Sequence, residues 1–207
     1  MRKRFNQRIP NILLSLLSLV LLVFVNACSD DIEPVREDMP ELITKVTFTF
    51  TPDGGGTTVI AAASDPDGEG VQDLTIDGPI NLEANTTYTL TIGLFNELAG
   101  PGSAEYYISD EVEEEGDEHI LFFAWTNNVF SDPDGNGNID NRADAVNYND
   151  EDVNGLPLGL STTWTTSTTA SGKFRVVLKH QPELKSETST VDEGETDLDI
   201  EFDINIQ

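Results

Sequence analysis

Apolar and polar residues alternate along much of the chain after residue 41, and this two-residue period is typical of β-strands with one buried face. The clearest run alternates the apolar residues Leu198, Ile200, Phe202, Ile204 and Ile206 with polar ones. Similar runs cover residues 42–51, 57–64, 86–94, 160–169 and 173–180, and residues 119–125 are continuously apolar. Turn-forming residues separate these runs, and none has a helical stripe. The pattern predicts an all-β fold of seven to nine antiparallel strands, as a single Ig-like or jelly-roll-like β-sandwich, with a partly open β-barrel as the alternative.

The first 28 residues follow a different pattern, in which a basic start precedes a long apolar run, as in a secretory signal peptide. Residues 25–28 read Val-Asn-Ala-Cys, which resembles the lipobox of bacterial lipoproteins. The resemblance implies that residues 1–27 are removed and that Cys28 carries thioether-linked diacylglycerol and an N-acyl chain. A short transmembrane helix is one alternative, and a structural role for Cys28 is another. Two features weigh against a transmembrane helix: no second apolar stretch follows, and Cys28 is the only cysteine of the chain.

Residues 28–41 are acidic and contain two prolines, which predicts a flexible tether ahead of a domain formed by residues 42–207. Serine follows Cys28, so the aspartate that retains many lipoproteins in the inner membrane is missing. The acidic cluster at 30–33 resembles the export signal of surface-displayed lipoproteins in some Gram-negative lineages. This resemblance implies an outer-membrane location facing the cell exterior, and an ordinary solvated linker is the alternative.

The predicted mature chain is strongly acidic. Without residues 1–27 it keeps seven basic and 38 acidic residues, so its net charge is −31, compared with −27 for the whole chain. Such a charge argues against nucleic-acid binding and against direct adhesion to an anionic membrane, so membrane contact is expected through the lipid only. It favours cations as partners and keeps an exposed protein soluble. A monomer is expected.

The sharpest local motif lies at 132–140, within a polar stretch that has no predicted regular structure. Oxygen-bearing side chains recur at alternate positions, and this spacing lets a tight loop turn its oxygens toward one hard cation. The motif resembles the calcium loops of dockerins, thrombospondin type-3 repeats and EF-hands. The calcium ligands implied are Asp132, Asp134, Asn136, Asn138 through its carbonyl, and Asp140 directly or through water. Ala143 stands where those loops have a bidentate glutamate, with Asp144 next to it, and a solvated turn is the alternative.

A second stretch, 65–73, begins with the same spacing. It predicts a weaker calcium loop formed by Asp65, Asp67, Glu69 and Asp73. Gln72 occupies the position at which an apolar residue is expected, and a plain turn is the alternative.

The two histidines, His119 and His180, lie at predicted strand ends next to acidic residues. They could form a transition-metal site if the fold brings them together. The interpretation favoured by the sequence is two separate histidines, one hydrogen-bonded and one exposed.

Aromatic residues offer a second kind of candidate site, because they can stack on sugars. Five candidates for such a platform are Trp125, Trp164, Tyr106, Tyr107 and Tyr148, and core packing is the alternative.

The motifs point to no reaction. The chain has no Gly-x-Ser-x-Gly elbow, no phosphate-binding loop and no His-Glu-x-x-His. The acidic run 113–118 is interpreted as part of a solvated connection over 111–118. A protein without enzymatic activity is therefore predicted.

The mature chain resembles a group of small secreted bacterial lipoproteins with an acidic start. The segments that carry this resemblance are 85–89, 95–97, 113–119, 155–160 and 178–180. Members of the group often carry the label of the type 1 periplasmic binding fold, which implies two lobes with alternating helices and strands. This chain has no helical pattern, and the resemblance implies no known activity.

Three functions are compatible with these features. The first is a lipid-anchored, surface-exposed β-sandwich that binds a ligand or a protein partner without catalysis, with calcium as a stabilising ion. The alternative is a glycan-binding accessory lipoprotein of an outer-membrane uptake system. The third, least favoured by the sequence, is a hydrolase that uses a metal ion held by His119 and His180.

Overall fold

β-Strands form most of the regular structure in the computed structural model, which describes residues 41–65 and 74–207. The strands of this part are β1 (Lys45–Pro52), β2 (Val59–Ser64), β3 (Thr75–Ile76), β4 (Ile80–Leu82), β5 (Thr87–Phe95), β6 (His119–Trp125), β7 (Phe130–Asp132), β8 (Ser161–Thr166), β9 (Ala170–His180) and β10 (Glu195–Ile206). The predicted all-β class is confirmed. The described part has more strands than the seven to nine predicted, because β3, β4 and β7 are only two or three residues long and show no clear alternation.

The strands form two sheets that pack as a sandwich. One sheet has the order β3-β2-β1-β5-β8-β7 and the other the order β4-β10-β9-β6. Neighbouring strands are antiparallel, as predicted, apart from β4, which runs parallel to β10. The chain crosses between the sheets after β3, so no hairpin sets the direction of β4.

The core lies between the sheets and is rich in aromatic side chains. The alternating pattern places Phe48 and Trp164 on the inner face of one sheet and Phe174 and Phe202 on the inner face of the other. Ring centroids lie 5.0 Å apart for Phe48 and Phe202, and 5.2 Å apart for Trp164 and Phe174. These contacts join the two sheets directly, and edge-to-face pairs of this kind add to the stability that comes from burial.

Strand β6 has the bounds predicted from its continuous apolar run, and six of its seven residues are buried. Its free edge is covered by the long segment that follows β7. The amide of Leu121 donates to Leu158 O, and the amide of Asn138 donates to Phe123 O. The polar stretch after β7 therefore protects an edge that would otherwise be open to pairing with another chain.

The sequence shows no helical pattern after residue 41, but a short α-helix, α1 (Ile108–Glu114), overlaps the predicted acidic connection at 111–118. Its two buried residues, Ile108 and Val112, are one turn apart, and seven residues are too few to show a helical period. The hydroxyl of Ser109 accepts a hydrogen bond from the amide of Leu94, which fixes the helix against β5. In the described residues, helix is otherwise limited to a single 3₁₀ turn, Ala104–Tyr106, so the two α/β lobes implied by the binding-fold label are not found there.

Several predicted features lie outside the described residues. They are the signal peptide at 1–27, the lipid attachment at Cys28, the tether up to residue 40, and the loop residues Asp67, Glu69 and Asp73. Within 41–65 and 74–207, no helix has both the length and the apolar character needed to cross a membrane.

Candidate functional site

The predicted calcium loop begins at the end of β7 and continues across the edge of β6. Asp132, Asp134, Asn136 and Asp140 are exposed, whereas Asn138 is buried. The Asn138 side-chain oxygen accepts from the amide of Phe123, and its side-chain nitrogen donates to the Tyr148 hydroxyl. The side chain of Asn138 therefore anchors the loop to the core.

The exposed loop residues are held by hydrogen bonds to one another and to nearby amides. Asn147 donates to Asp132 over 3.1 Å, and Asn136 donates to Asp140 over 3.1 Å. The carboxylate of Asp144 lies next to the turn, because a Cβ at Gly135 would be 4.0 Å from Asp144 Oδ2. The loop carboxylates are not among the groups of three described acids or histidines whose ligand atoms lie within 4.8 Å of one another.

The second candidate loop contributes one described residue, Asp65, which is 8% exposed. Its amide donates to Thr44 O and so extends the pairing at the start of β1.

The fold brings the two histidines together, contrary to the favoured interpretation. His119 and His180 are directly opposite on β6 and β9, and their rings stack with centroids 4.6 Å apart at an angle of 12°. Neither is exposed, since His119 is 0% and His180 7% accessible. The sequence shows both residues at strand ends, but only the register of β6 against β9 makes them neighbours.

Asp197 lies close to this pair because of an irregularity in β10. Thr196 pairs with Lys179 and Leu198 with Leu178, so Asp197 is the extra residue of a β-bulge. A bulge redirects a side chain that alternation would place on the solvent face. The side chain of Asp197 is 0% exposed, and its Oδ2 lies 3.9 Å from His119 Nε2.

Further carboxylates lie next to His180. One group, Glu115, Glu118 and His180, has ligand atoms within 4.8 Å of one another, and so has a second group, Glu41, Glu111 and Glu115. The carboxylate of Glu118 lies 3.2 Å from His180 Nε2. We use the name histidine–carboxylate cluster for Glu115, Glu118, His119, His180 and Asp197.

Burial shifts the pKa values of three groups in this region. Burial lowers the pKa of the His119 imidazole to about 4 and raises the pKa of the Asp197 carboxyl to about 6. Burial, followed by repulsion from Glu111, raises the pKa of the Glu41 carboxyl to about 7. A bound cation would oppose the two upward shifts, because it favours the charged form of a carboxyl group.

The five aromatic residues of the predicted sugar platform do not lie together. Trp125 and Trp164 belong to the core and are 2% and 0% exposed. Tyr148 has a structural role, since its hydroxyl donates to Leu121 O. Tyr106 and Tyr107 instead lie before α1, with ring centroids 4.8 Å apart.

Phe95 completes a surface aromatic cluster with these two tyrosines, at centroid distances of 5.9 and 6.0 Å. Phe95 is on the outer face of β5, and its ring lies over Gly93, where a Cβ would be 2.9 Å from it. A Cβ at the same position would also be 2.7 Å from the Thr47 hydroxyl. The aromatic cluster therefore adjoins the outer face of the six-stranded sheet.

That outer face carries rows of hydroxyl groups. Thr49, Thr91 and Ser161 are in register across β1, β5 and β8, and Thr51, Thr89 and Thr163 form the next row. In a third row, the Thr87 and Thr165 hydroxyls are 2.9 Å apart. We use the name threonine face for these eight residues. The alternation of threonine along each strand was the signal in the sequence, but the rows depend on strand register.

No family model, curated protein or solved structure matches the chain.

Proposed function

We propose that the chain is a lipid-anchored outer-membrane protein, facing the cell exterior, whose β-sandwich binds a neutral glycan without catalysing a reaction. The observation that carries the choice of ligand is the surface aromatic cluster next to the threonine face. Aromatic rings stack on the apolar faces of sugars while hydroxyl groups hydrogen-bond to their edges. The anchor is inferred from the lipobox at residues 25–28.

The charge of the chain narrows the glycan class. With 38 acidic and 11 basic residues in all, the surface repels polyanions such as uronate-rich or sulfated polysaccharides. None of the eight residues of the threonine face is acidic. The Thr89 hydroxyl donates to Asp53 and the Thr163 hydroxyl donates to Asn149, and each hydroxyl oxygen keeps a lone pair that can accept from a sugar. These properties match a neutral polysaccharide.

Tyr107→Ala is expected to weaken binding of a neutral polysaccharide by roughly tenfold or more, if stacking of a sugar on one aromatic ring contributes as much as stacking of a nucleobase, which is about 1–3 kcal/mol. Tyr107 is 44% exposed, so the substitution leaves the core intact. Fluorescent neutral polysaccharides are added to intact Gram-negative cells that express the full chain, and bound fluorescence is measured.

Binding on intact cells tests two points together: that the protein faces the cell exterior and that it binds a neutral polysaccharide. Leu184→Ala is a useful control, because it truncates a 53% exposed apolar side chain in the connection between β9 and β10. Binding by purified protein but not by intact cells would contradict display on the exterior. Equal binding by wild type and Tyr107→Ala would contradict the glycan surface.

We also propose that the loop at 132–140 binds calcium. Asp132, Asp134 and Asp140 are exposed acids on a single loop, and Asp144 lies next to its turn. Calcium prefers oxygen ligands of this kind and tolerates flexible geometry. The ion would offset the repulsion among these carboxylates and add to the hydrogen bonds that already hold the loop.

Calcium is expected to raise the melting temperature of protein that has first been stripped of divalent ions. At a calcium concentration about 100 times Kd, binding stabilises the folded state by about 2.7 kcal/mol. For a chain of this size the corresponding shift is roughly 5–10 °C, which thermal melting followed by circular dichroism can measure.

Asp134→Asn should reduce this shift, whereas Asp110→Asn, an exposed acid on α1, should leave it unchanged. A melting temperature that does not respond to calcium would rule out a calcium site in this loop.

A further inference from the structure

His119 and Asp197 present two hydrogen-bond acceptors to each other with no donor between them. Nδ1 of His119 lies 3.1 Å from Glu115 O. Because a carbonyl oxygen can only accept, this bond places the proton on Nδ1 and leaves the lone pair on Nε2. Nε2 faces Asp197 Oδ2 at 3.9 Å, and both side chains are 0% exposed.

In the described part of the chain, these atoms lack a hydrogen-bond partner within ordinary geometric limits. His119 Nε2 and both carboxylate oxygens of Asp197 are buried without a hydrogen bond of acceptable geometry. The backbone amide of Glu41 points toward Asp197 and only partly offsets its burial. Buried polar atoms without a partner are rare in folded proteins and call for an explanation such as an ion or water.

The separation of 3.9 Å suits a shared metal ion. It is too long for a hydrogen bond. Zinc lies about 2.0–2.2 Å from each nitrogen or oxygen ligand, so two atoms at this distance can coordinate the same ion with little movement.

Further candidate ligands lie next to the stacked ring of His119, although neither His119 nor Asp197 belongs to a group of three described ligand residues within 4.8 Å of one another. The His180 ring stacks on His119, and one ligand atom each of His180, Glu115 and Glu118 lies within 4.8 Å of the other two. Glu118 is 38% exposed on its side chain, which provides a route for an ion from solvent.

The nearest lysines are held elsewhere and do not neutralise the cluster. Lys185 Nζ lies 2.9 Å from Asp152 and donates to Gly116 O. Lys179 Nζ donates to Gly194 O and to the Thr196 hydroxyl.

We propose that the histidine–carboxylate cluster binds one divalent transition-metal ion of the zinc class. Imidazole nitrogen selects zinc, nickel and copper over calcium and magnesium, and carboxylate oxygens complete the coordination. The histidine tautomer fixed by Glu115 O is the arrangement usual for metal-ligating histidines, in which the second ring nitrogen donates to a carbonyl or carboxylate. This site is separate from the calcium loop and from the threonine face.

The test uses the full chain after removal of divalent ions. Zn²⁺ binding is measured by isothermal titration calorimetry, and Co²⁺ serves as a coloured probe whose visible absorption reports the ligand geometry. We expect one ion per chain, and Zn²⁺ should displace Co²⁺. Glu118→Gln and His180→Gln should each weaken Zn²⁺ binding by at least about tenfold.

Three comparisons make the result decisive. Glu113→Gln changes an exposed acid on α1, just before Glu115, and should leave the Zn²⁺ affinity unchanged. Asp134→Asn should also have no effect on Zn²⁺, which separates this site from the calcium loop. Glu118→Gln alters a partly exposed residue, so it remains informative if His180→Gln does not fold. Absence of Zn²⁺ binding by the wild type, or equal affinity in wild type and Glu118→Gln, overturns the proposal.

Discussion

Lys185→Met is expected to lower the free energy of unfolding by about 3–5 kcal/mol, because it leaves a buried carboxylate without its counter-ion. Lys185 Nζ lies 2.9 Å from Asp152 Oδ2, and both side chains are 0% exposed. Burial lowers the pKa of Lys185, and the contact with Asp152 opposes that shift. Urea unfolding followed by circular dichroism measures the loss.

The effect should be large because this ion pair joins three segments. Lys185 belongs to the connection between β9 and β10, and it also donates to Gly116 O just after α1. Asp152 Oδ1 accepts from the amides of Asn154 and Leu156 and so closes the turn at 152–156. Loss of the lysine therefore weakens contacts around the histidine–carboxylate cluster as well as the pair itself.

Lys45→Met is a matched control. Lys45 forms a 2.7 Å pair with Glu97, but its side chain is 35% exposed, and exposed pairs contribute less than about 1 kcal/mol. Adding Asp152→Asn to Lys185→Met removes the unpaired charge and keeps Oδ1 as an acceptor, so the double variant should recover about 1 kcal/mol or more. Equal losses in Lys185→Met and Lys45→Met would contradict the role of the buried pair.

Strand positions could be predicted from the sequence wherever one face of a strand is buried. In β10 and β5 every second residue faces the core, so alternation marks both strands within a few residues of their ends. The same reasoning fails for α1, whose seven residues bury only Ile108 and Val112. It also fails for the direction of β4, because three residues carry no information about which strand they pair with.

The candidate sites were harder to predict from the sequence, because they depend on the register of strand pairing. His119 and His180 are 61 positions apart and meet only because β6 and β9 pair in one particular register. Asp197 would face solvent if β10 alternated without interruption, and a single-residue bulge turns it inward. The loop at 132–140 does not depend on register, because its motif is local in the sequence, so its acids could be identified directly. The anchoring role of Asn138 could not be predicted, because it depends on contacts with Phe123 and Tyr148.

The tryptophans show how composition misleads about binding surfaces. An aromatic residue in a strand is equally compatible with core packing and with a stacking platform, since both use the same side-chain surface. Burial separates the two, and it assigns Trp125 and Trp164 to the core while leaving Tyr107 44% exposed.

Trp164→Ala is accordingly expected to destabilise the fold by about 3–5 kcal/mol and not to remove a ligand contact. The Trp164 ring packs against Phe123, Trp125, Phe130 and Phe174 at centroid distances of 4.7–5.4 Å. Its Nε1 donates to the Thr162 hydroxyl over 2.7 Å, so truncation leaves both a cavity and a buried hydroxyl with one partner fewer. The melting temperature should fall by roughly 10 °C, as measured by differential scanning calorimetry.

Trp164→Phe keeps part of the ring packing and should lose less stability than Trp164→Ala. Tyr107→Ala, in contrast, should change the melting temperature little, because surface substitutions are usually within about 0.5 kcal/mol of neutral. Well below its melting temperature, Trp164→Ala should still bind a neutral polysaccharide with unchanged affinity, whereas Tyr107→Ala should bind it roughly tenfold or more weakly. Loss of binding in a folded Trp164→Ala, with binding retained in Tyr107→Ala, would contradict a glycan site at the surface cluster. It would place the site at the core tryptophans, although Trp164 is buried and gives a sugar no access.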